Sequence, residues 1–126
     1  MELLSPAGHW EAMVAAVQCG ADAVYLGCGD LNARRGAKNF SLQELPRAVS
    51  YCHTRGVKVY LTVNTLVTDR EMDAAREQLL LASRCGVDAV IVQDWGLVSL
   101  ARSIAPDLPL HGSTQMTIHS LAGVEA

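Results

Sequence analysis

No stretch of the chain approaches the roughly 20 continuous apolar residues that a membrane-spanning helix needs. The start, Glu2 followed by "LLSPAG", also lacks the basic and apolar regions of a signal peptide. A soluble protein of the cytoplasm, with no membrane partner, is the expectation. Positive charge is not in excess either, since ten Lys and Arg stand against thirteen Asp and Glu for a net charge of −3. That balance argues against bulk electrostatic attraction to nucleic acid or an anionic membrane, although it leaves room for a local basic patch. The four cysteines, Cys19, Cys28, Cys52 and Cys85, include no C-x-x-C pair and no zinc spacing. In so apolar a chain they do not read as a disulfide framework. Cys19, Cys52 and Cys85 read as buried small hydrophobes; Cys28 stands apart because it directly follows an expected strand. Aromatic residues are few, at 5%, against 50% hydrophobic and 18% charged residues. This is the composition of an Ala/Val/Leu-rich globular protein rather than a disordered one. Finally, 126 residues make one domain at most, well short of the roughly 250 usual for a complete (β/α)₈ barrel.

What the chain does have is a repeat. "GADAVYLGCG" (Gly20 to Gly29) returns as "GVDAVIVQDW" (Gly86 to Trp95), and "GVKVYLTVNT" (Gly56 to Thr65) echoes both. Each glycine reads as a helix C-cap, each apolar run as a buried parallel strand, and each polar residue after it as a mouth position. Around these units, Glu2 to Ser5 reads as a short strand that "PAG" breaks, and a helix from about His9 to Cys19 puts Trp10, Met13, Val14 and Val17 on one face. Ser41 and Glu44 have capping-box spacing and Phe40 and Leu45 that of a hydrophobic staple; the helix they open buries Leu42, Leu45, Val49 and Cys52, with a kink expected at Pro46. Thr68 and Glu71 open a third helix running to Cys85, with Met72, Ala75, Leu79 and Ala82 inward. Asp94 suits the N-cap of a fourth, over Leu97, Leu100, Ala101 and Ile104, after which "LPLHG" reads as a fifth strand and "HSLAGVEA" as the start of a further helix.

Strands and helices therefore alternate strictly, with strands starting near Glu2, Ala23, Lys58, Ala89 and Pro109. This is the rhythm of a TIM barrel or a doubly wound sheet. The dinucleotide-binding version is disfavoured, because the first strand runs into "SPAGHW" and the Gly27, Gly29 pair lacks a third glycine and a helix directly behind it.

Taken in order, "MELLSPAG", "GADAVYLG", the Asn32-Ala33-Arg34 and Asn39-Phe40 loop, "VYLTVNT", "GVDAVIVQD" and "PLHGSTQ" resemble the amino-terminal half of the U32 peptidase family. The resemblance covers the whole chain. It implies an α/β fold, an incomplete TIM-barrel-like repeat of about four βα units plus a fifth strand. Residues 1–126 would be one domain cut short at its carboxyl end. Members of that family are labelled collagenase-like peptidases, and others are ribosomal and transfer RNA base-hydroxylation proteins or ubiquinone-pathway hydroxylation partners. An iron–sulfur cluster is implied for a full-length member, held by a downstream cysteine block that none of the four cysteines here matches. No cofactor or metal is expected on this chain.

Candidate site residues follow from the rule that parallel α/β folds bind ligands at the carboxyl ends of their strands. After the first strand come Ser5, Pro6 and Gly8, a tight turn whose amides can meet an anion. After the second come Cys28, Asn32, Arg34 and Arg35, with Lys38 nearby; the guanidinium groups suit a phosphate or carboxylate, and a solvated loop accounts for them equally well. Asn64, Gln93 and Asp94 follow the third and fourth strands, with Asp94 an N-cap first. His111, Ser113, Thr114 and Gln115 follow the fifth, and His111 is the only histidine at a strand end, His9, His53 and His119 falling on expected helices. His111, Ser113 and Gln115 are the catalytic candidates, yet a lone histidine without a carboxylate is no protease triad. Two function classes remain. One is a U32-type enzyme acting on RNA or peptide, with this chain inactive by itself because half the strand ends of a barrel mouth are absent. The other is a non-catalytic half-barrel that self-associates, as a homodimer, through open strand edges.

Overall fold

The computed structural model describes residues 1–33, 36 and 38–126. Five strands, β1 (Leu4–Pro6), β2 (Ala23–Gly27), β3 (Lys58–Val63), β4 (Ala89–Val92) and β5 (Leu110–Gly112), form one sheet in which each strand pairs in parallel with the next. Between them run α1 (Trp10–Gln18), α2 (Leu45–His53), α3 (Met72–Cys85) and α4 (Trp95–Ile104), and a short α5 (Leu121–Glu125) follows β5. The spatial order repeats the chain order, so every right-handed crossover steps the same way and every helix lands on the same face. A doubly wound sheet needs a reversal of order, which is absent here. The fold is an α/β partial barrel, as the alternating pattern implies.

That arrangement gives the sheet two different faces. Val24, Leu26 and Cys28, Val59, Leu61 and Val63, and Val90 and Val92 pack with Met13, Leu45, Leu79 and Leu97 of the helices in one large core. Each fully buried side chain of that size contributes about 1.5–3 kcal/mol. The alternate residues, Ala23, Tyr60 and Ala89 with the half-buried Tyr25 and Ile91, form a smaller cluster on the concave side. The strands are thus covered by helices on one face only, and the other face lines an open trough.

The repeated G-x-D-A-V has a physical cause at each residue. Gly86 closes α3 in the left-handed conformation, φ 74°, which a side chain would strain. Asp88 then accepts the backbone amide of Val59 at 2.7 Å, and Asp22 accepts that of Leu3 at 2.7 Å. In each repeat the aspartate pins the start of the preceding strand to its own, and the apolar residues that follow enter the sheet.

Several boundaries differ from the sequence pattern. Strand β1 is shifted to end on Pro6, which an edge strand tolerates because the missing N–H faces no partner. The Ser41 and Glu44 box forms, with the Ser41 amide 2.8 Å from Glu44 Oε2 and the Glu44 amide 3.2 Å from Ser41 Oγ, but it closes a turn. Helix α2 begins after it, so Pro46 falls in the first turn, where no helical N–H is required, and causes no kink. Leu42 is correspondingly exposed. The Thr68 box caps a short 3₁₀ turn, Asp69–Glu71, ahead of α3; Met72 is only half-buried, and Gln78 takes a core position instead. Cys19 is exposed and Cys85 half-buried, rather than both buried, because each ends a helix at the surface. His9 caps α1, its Nδ1 accepting from the Ala12 amide at 3.3 Å, and His119 lies in the loop before α5, so neither is within a helix.

Candidate functional site

The carboxyl ends of the strands and the concave face open on a cavity of about 480 Å³. Its walls come from every strand: Leu4 and Pro6 of β1, Tyr25 and Gly27 of β2, Thr62 and Asn64 at the end of β3, Ile91 of β4, and His111 to Thr114 at β5. Ala7 and Gly8 close one side, and Asn32, Ala33 and Asn39 of the loop after β2 close the top. None of the described lining residues is Asp, Glu, Lys or Arg. The lining is therefore amide, hydroxyl, imidazole, phenol and hydrocarbon.

The loop over this cavity is held by amide side chains. Asn32 is 1% exposed and donates to the Gly29 carbonyl at 2.9 Å and to that of Cys28 at 3.5 Å. It packs so tightly on β2 that a Cβ on Gly27 would lie 2.7 Å from its Cγ, which explains the glycine there. Asn64 Oδ1 accepts the Ala33 amide at 3.2 Å, tying the loop to the end of β3. From the opposite side Gln78, also buried, donates to the Cys28 carbonyl at 3.1 Å. Nothing in the sequence pattern marks Gln78, because a glutamine on an apolar helix stripe carries no spacing signal.

On the concave face Tyr60 and His111 meet edge-on, with ring centroids 4.9 Å apart. They belong to β3 and β5, and the strand between offers only Ala89 opposite Tyr60, leaving room for the ring to lean across. Below, the Tyr60 hydroxyl donates to Glu2, whose carboxylate also meets Lys58 Nζ at 3.2 Å. Burial first, and the Glu2 hydrogen bond second, push the Tyr60 phenol up to about 12. The same hydrogen bond, followed by that from Lys58, holds Glu2 below the usual carboxylate range. Tyr25, Tyr60 and Thr62 were legible only as parts of apolar runs; their period-two alternation with Val and Leu is the signal that assigns them to the open face.

The candidates of the sequence divide accordingly. Asn32, Asn64, His111 and Ser113 line the cavity. Gln93, Asp94 and Gln115 do not. Asp94 caps α4 through the Leu97 amide at 3.1 Å and also accepts the Val67 amide at 3.3 Å, so both its oxygens serve the backbone. Ser113 is buried, its amide donating to the Val92 carbonyl at 2.7 Å and its Oγ accepting the Gln115 amide at 3.3 Å. Arg34 and Arg35 lie outside the described residues. Cys28 faces the helices and not the mouth, because the strand's alternation carries through it; burial pushes its thiol up to about 12. Among the described residues no three of His, Cys, Asp and Glu come together as metal ligands. Cys28 and Cys52 are buried in the core, Cys19 is exposed and Cys85 half-buried.

Comparison with known proteins matches this geometry to a family. Residues 8–126 match peptidase family U32. An uncharacterized protease of Methanocaldococcus jannaschii is 42% identical over 118 residues, 94% of this chain and 28% of that protein. A 23S rRNA 5-hydroxycytidine synthase of Escherichia coli is 39% identical over 121 residues, 96% of this chain and 18% of that protein. The chain thus spans well under half the length of either relative. Among solved structures, that of a U32 peptidase superposes with a TM-score of 0.74 at 17% identity, covering 98% of this chain and 53% of the other, a likeness of fold. With residues 8–126 matched and relatives of this identity over nearly its whole length, the chain belongs to peptidase family U32.

Proposed function

We propose that this chain forms the base-binding wall of an RNA-modifying U32 protein, one that hydroxylates a base of ribosomal or transfer RNA. The observation that carries this reading is the chemistry of the cavity. A nucleobase is flat, neutral and edged with alternating donors and acceptors, and the described lining is likewise uncharged, with amides at Asn39 and Asn64, hydroxyls at Thr62, Ser113 and Thr114, and a ring at Tyr25. With its Oδ1 held by the Ala33 amide, Asn64 offers a base edge the donors of its NH₂ group. Some 480 Å³ is room for a base turned out of its stack, with its sugar at the mouth. The name of the Escherichia coli relative supports the same substrate class.

The peptidase reading has less behind it. Peptide hydrolysis without a metal needs an activated nucleophile, and the described lining has no carboxylate to orient His111. The Cys28 thiol is buried on the other side of the sheet. The oxidation itself needs a redox partner that the described residues do not supply, and this chain's share is to bind and orient the base. The test is nucleoside mass spectrometry of RNA from cells lacking the gene, complemented with the intact protein or its Asn64→Ala variant. The wild type is expected to restore a hydroxylated nucleoside, and the variant to restore roughly tenfold less, as for one lost base contact. Unchanged nucleosides together with peptide cleavage by the purified intact protein would overturn the reading.

A further inference from the structure

A second groove lies on the helical side of the sheet, outside the cavity. Its floor is a stripe of α2 and the residues just beyond it: Arg47, Tyr51 and Arg55 recur at every fourth position, so cation, ring and cation stack along one helix face. Trp10, the first residue of α1, completes the wall, its ring 5.6 Å from that of Tyr51. The Arg47 guanidinium lies over Trp10 at 5.3 Å and that of Arg55 over Tyr51 at 3.7 Å. The groove is shallow and open to solvent, and it has no Asp or Glu among its lining residues.

Packing of α1 on α2 explains the rings but not the cations. Both arginines are exposed, and among the described residues neither enters an ion pair. Arg55 uses one N–H, on the Tyr51 carbonyl at 3.0 Å. A guanidinium placed over a ring keeps N–H donors that the ring does not use, and these can grip a phosphate in two places. Glu44, the carboxylate at the head of α2, accepts the Ser41 amide and keeps its charge, which offsets part of that of Arg47, whereas Arg55 lies at the far end of the stripe.

We infer that this groove binds a segment of single-stranded RNA, its phosphates on Arg47 and Arg55 and a base against the exposed edges of Trp10 and Tyr51. The topology places one end of this groove toward the mouth end of the strands. Helix α2 leaves the carboxyl end of β2, so Pro46 and Arg47 stand at the mouth end and Arg55, about 12 Å further along, at the opposite end. A strand with one base in the cavity runs on down this face. The inference rests on the RNA reading for its ligand class and on the outer-face geometry for its place.

The experiment is binding of a fluorescein-labelled oligouridylate of about 12 nucleotides to the intact protein, followed by anisotropy over a salt series. The proteins are the wild type, Arg47→Gln/Arg55→Gln, and Arg47→Lys/Arg55→Lys. The glutamine pair is expected to bind roughly tenfold more weakly, with a salt slope flatter by about 1.4, from two phosphate contacts at about 0.7 each. The lysine pair keeps the slope and loses part of the affinity, because ammonium restores charge without the planar fork. In a Trp95→Phe background, the remaining Trp10 fluorescence changes on binding. Affinity and slope unchanged in the glutamine pair overturn the inference, and so does binding of polyglutamate in preference to the oligonucleotide. Asn64→Ala separates the two readings. If it abolishes base hydroxylation while the glutamine pair binds like wild type, the groove is wrong and the RNA function stands. If the wild type restores no modified nucleoside yet the glutamine pair binds RNA more weakly, the groove stands and the proposed reaction falls.

Discussion

The Tyr60 hydroxyl lies 2.8 and 3.0 Å from the two oxygens of Glu2 and shares its one hydrogen with that carboxylate, joining a residue just ahead of the first strand to the middle of the third. The pair makes stability depend on pH at both ends of the scale. Tyr60 has a raised folded value, about 12 against 10.0, so its neutral form contributes stability that is complete below pH 10 and lost as pH climbs toward 12. Glu2 has a lowered one, so its carboxylate contributes above pH 4.5 and loses that as the solution becomes more acidic. Urea denaturation across pH is expected to show the alkaline loss in wild type and a shallower one in Tyr60→Phe; identical curves would disprove the link.

Asp88 Oδ2 holds two partners, the Val59 amide at 2.7 Å and His53 Nε2 at 2.8 Å, and they are not of equal weight. Asp88→Ala leaves a strand amide without its acceptor and is expected to cost about 1–3 kcal/mol. His53→Ala breaks only a partly exposed pair, at about 0–1 kcal/mol. Asp88→Asn, which keeps an acceptor, falls between. Equal losses for Asp88→Ala and His53→Ala, measured by urea denaturation, would mean that the strand amide is not what the aspartate supports.

Thiol reactivity is expected to follow burial. Cys19 is exposed, whereas burial pushes the thiols of Cys28 and Cys52 up to about 12 and about 11. A maleimide at neutral pH labels Cys19 first and reaches Cys28 and Cys52 only on unfolding, as peptide mapping by mass spectrometry will show. Prompt labelling of Cys28 in the native protein would place it at the mouth after all.

Gly27→Ala tests the seat of the loop. The new Cβ would meet Asn32 at 2.7 Å, with the whole amide within 2.9 Å, so Asn32 must leave its place over the cavity. Overpacking of this kind costs about 1–3 kcal/mol, read as a lowered Tm. The variant is also expected to lose base hydroxylation in the complementation assay, because the cavity's top moves with Asn32. Full activity at unchanged Tm would mean that the loop is seated by other contacts.

How much of this was written in the chain itself can be judged residue by residue. The βα repeat, the glycine at Gly86, the capping boxes at Ser41 and Thr68 and the cap at Asp94 depend on interactions within four or five residues, and such local chemistry is legible in order and spacing. The family was legible for the same reason, its motifs being short and consecutive. Side-chain direction was less so: Cys28 looked like a mouth residue and lies in the helix-facing core, because each apolar run reads alike from either face until the helices choose one. What only the tertiary structure decided are the meetings across many residues, Tyr60 with Glu2 and His111, Asn64 with Ala33, Gln78 with Cys28, and Trp10 with the arginine stripe of α2. No spacing rule encodes these, since they depend on strand register and on how the sheet's curvature brings β3 and β5 together over the small side chain of Ala89. The elements belong to local sequence; the cavity and the outer groove belong to the fold.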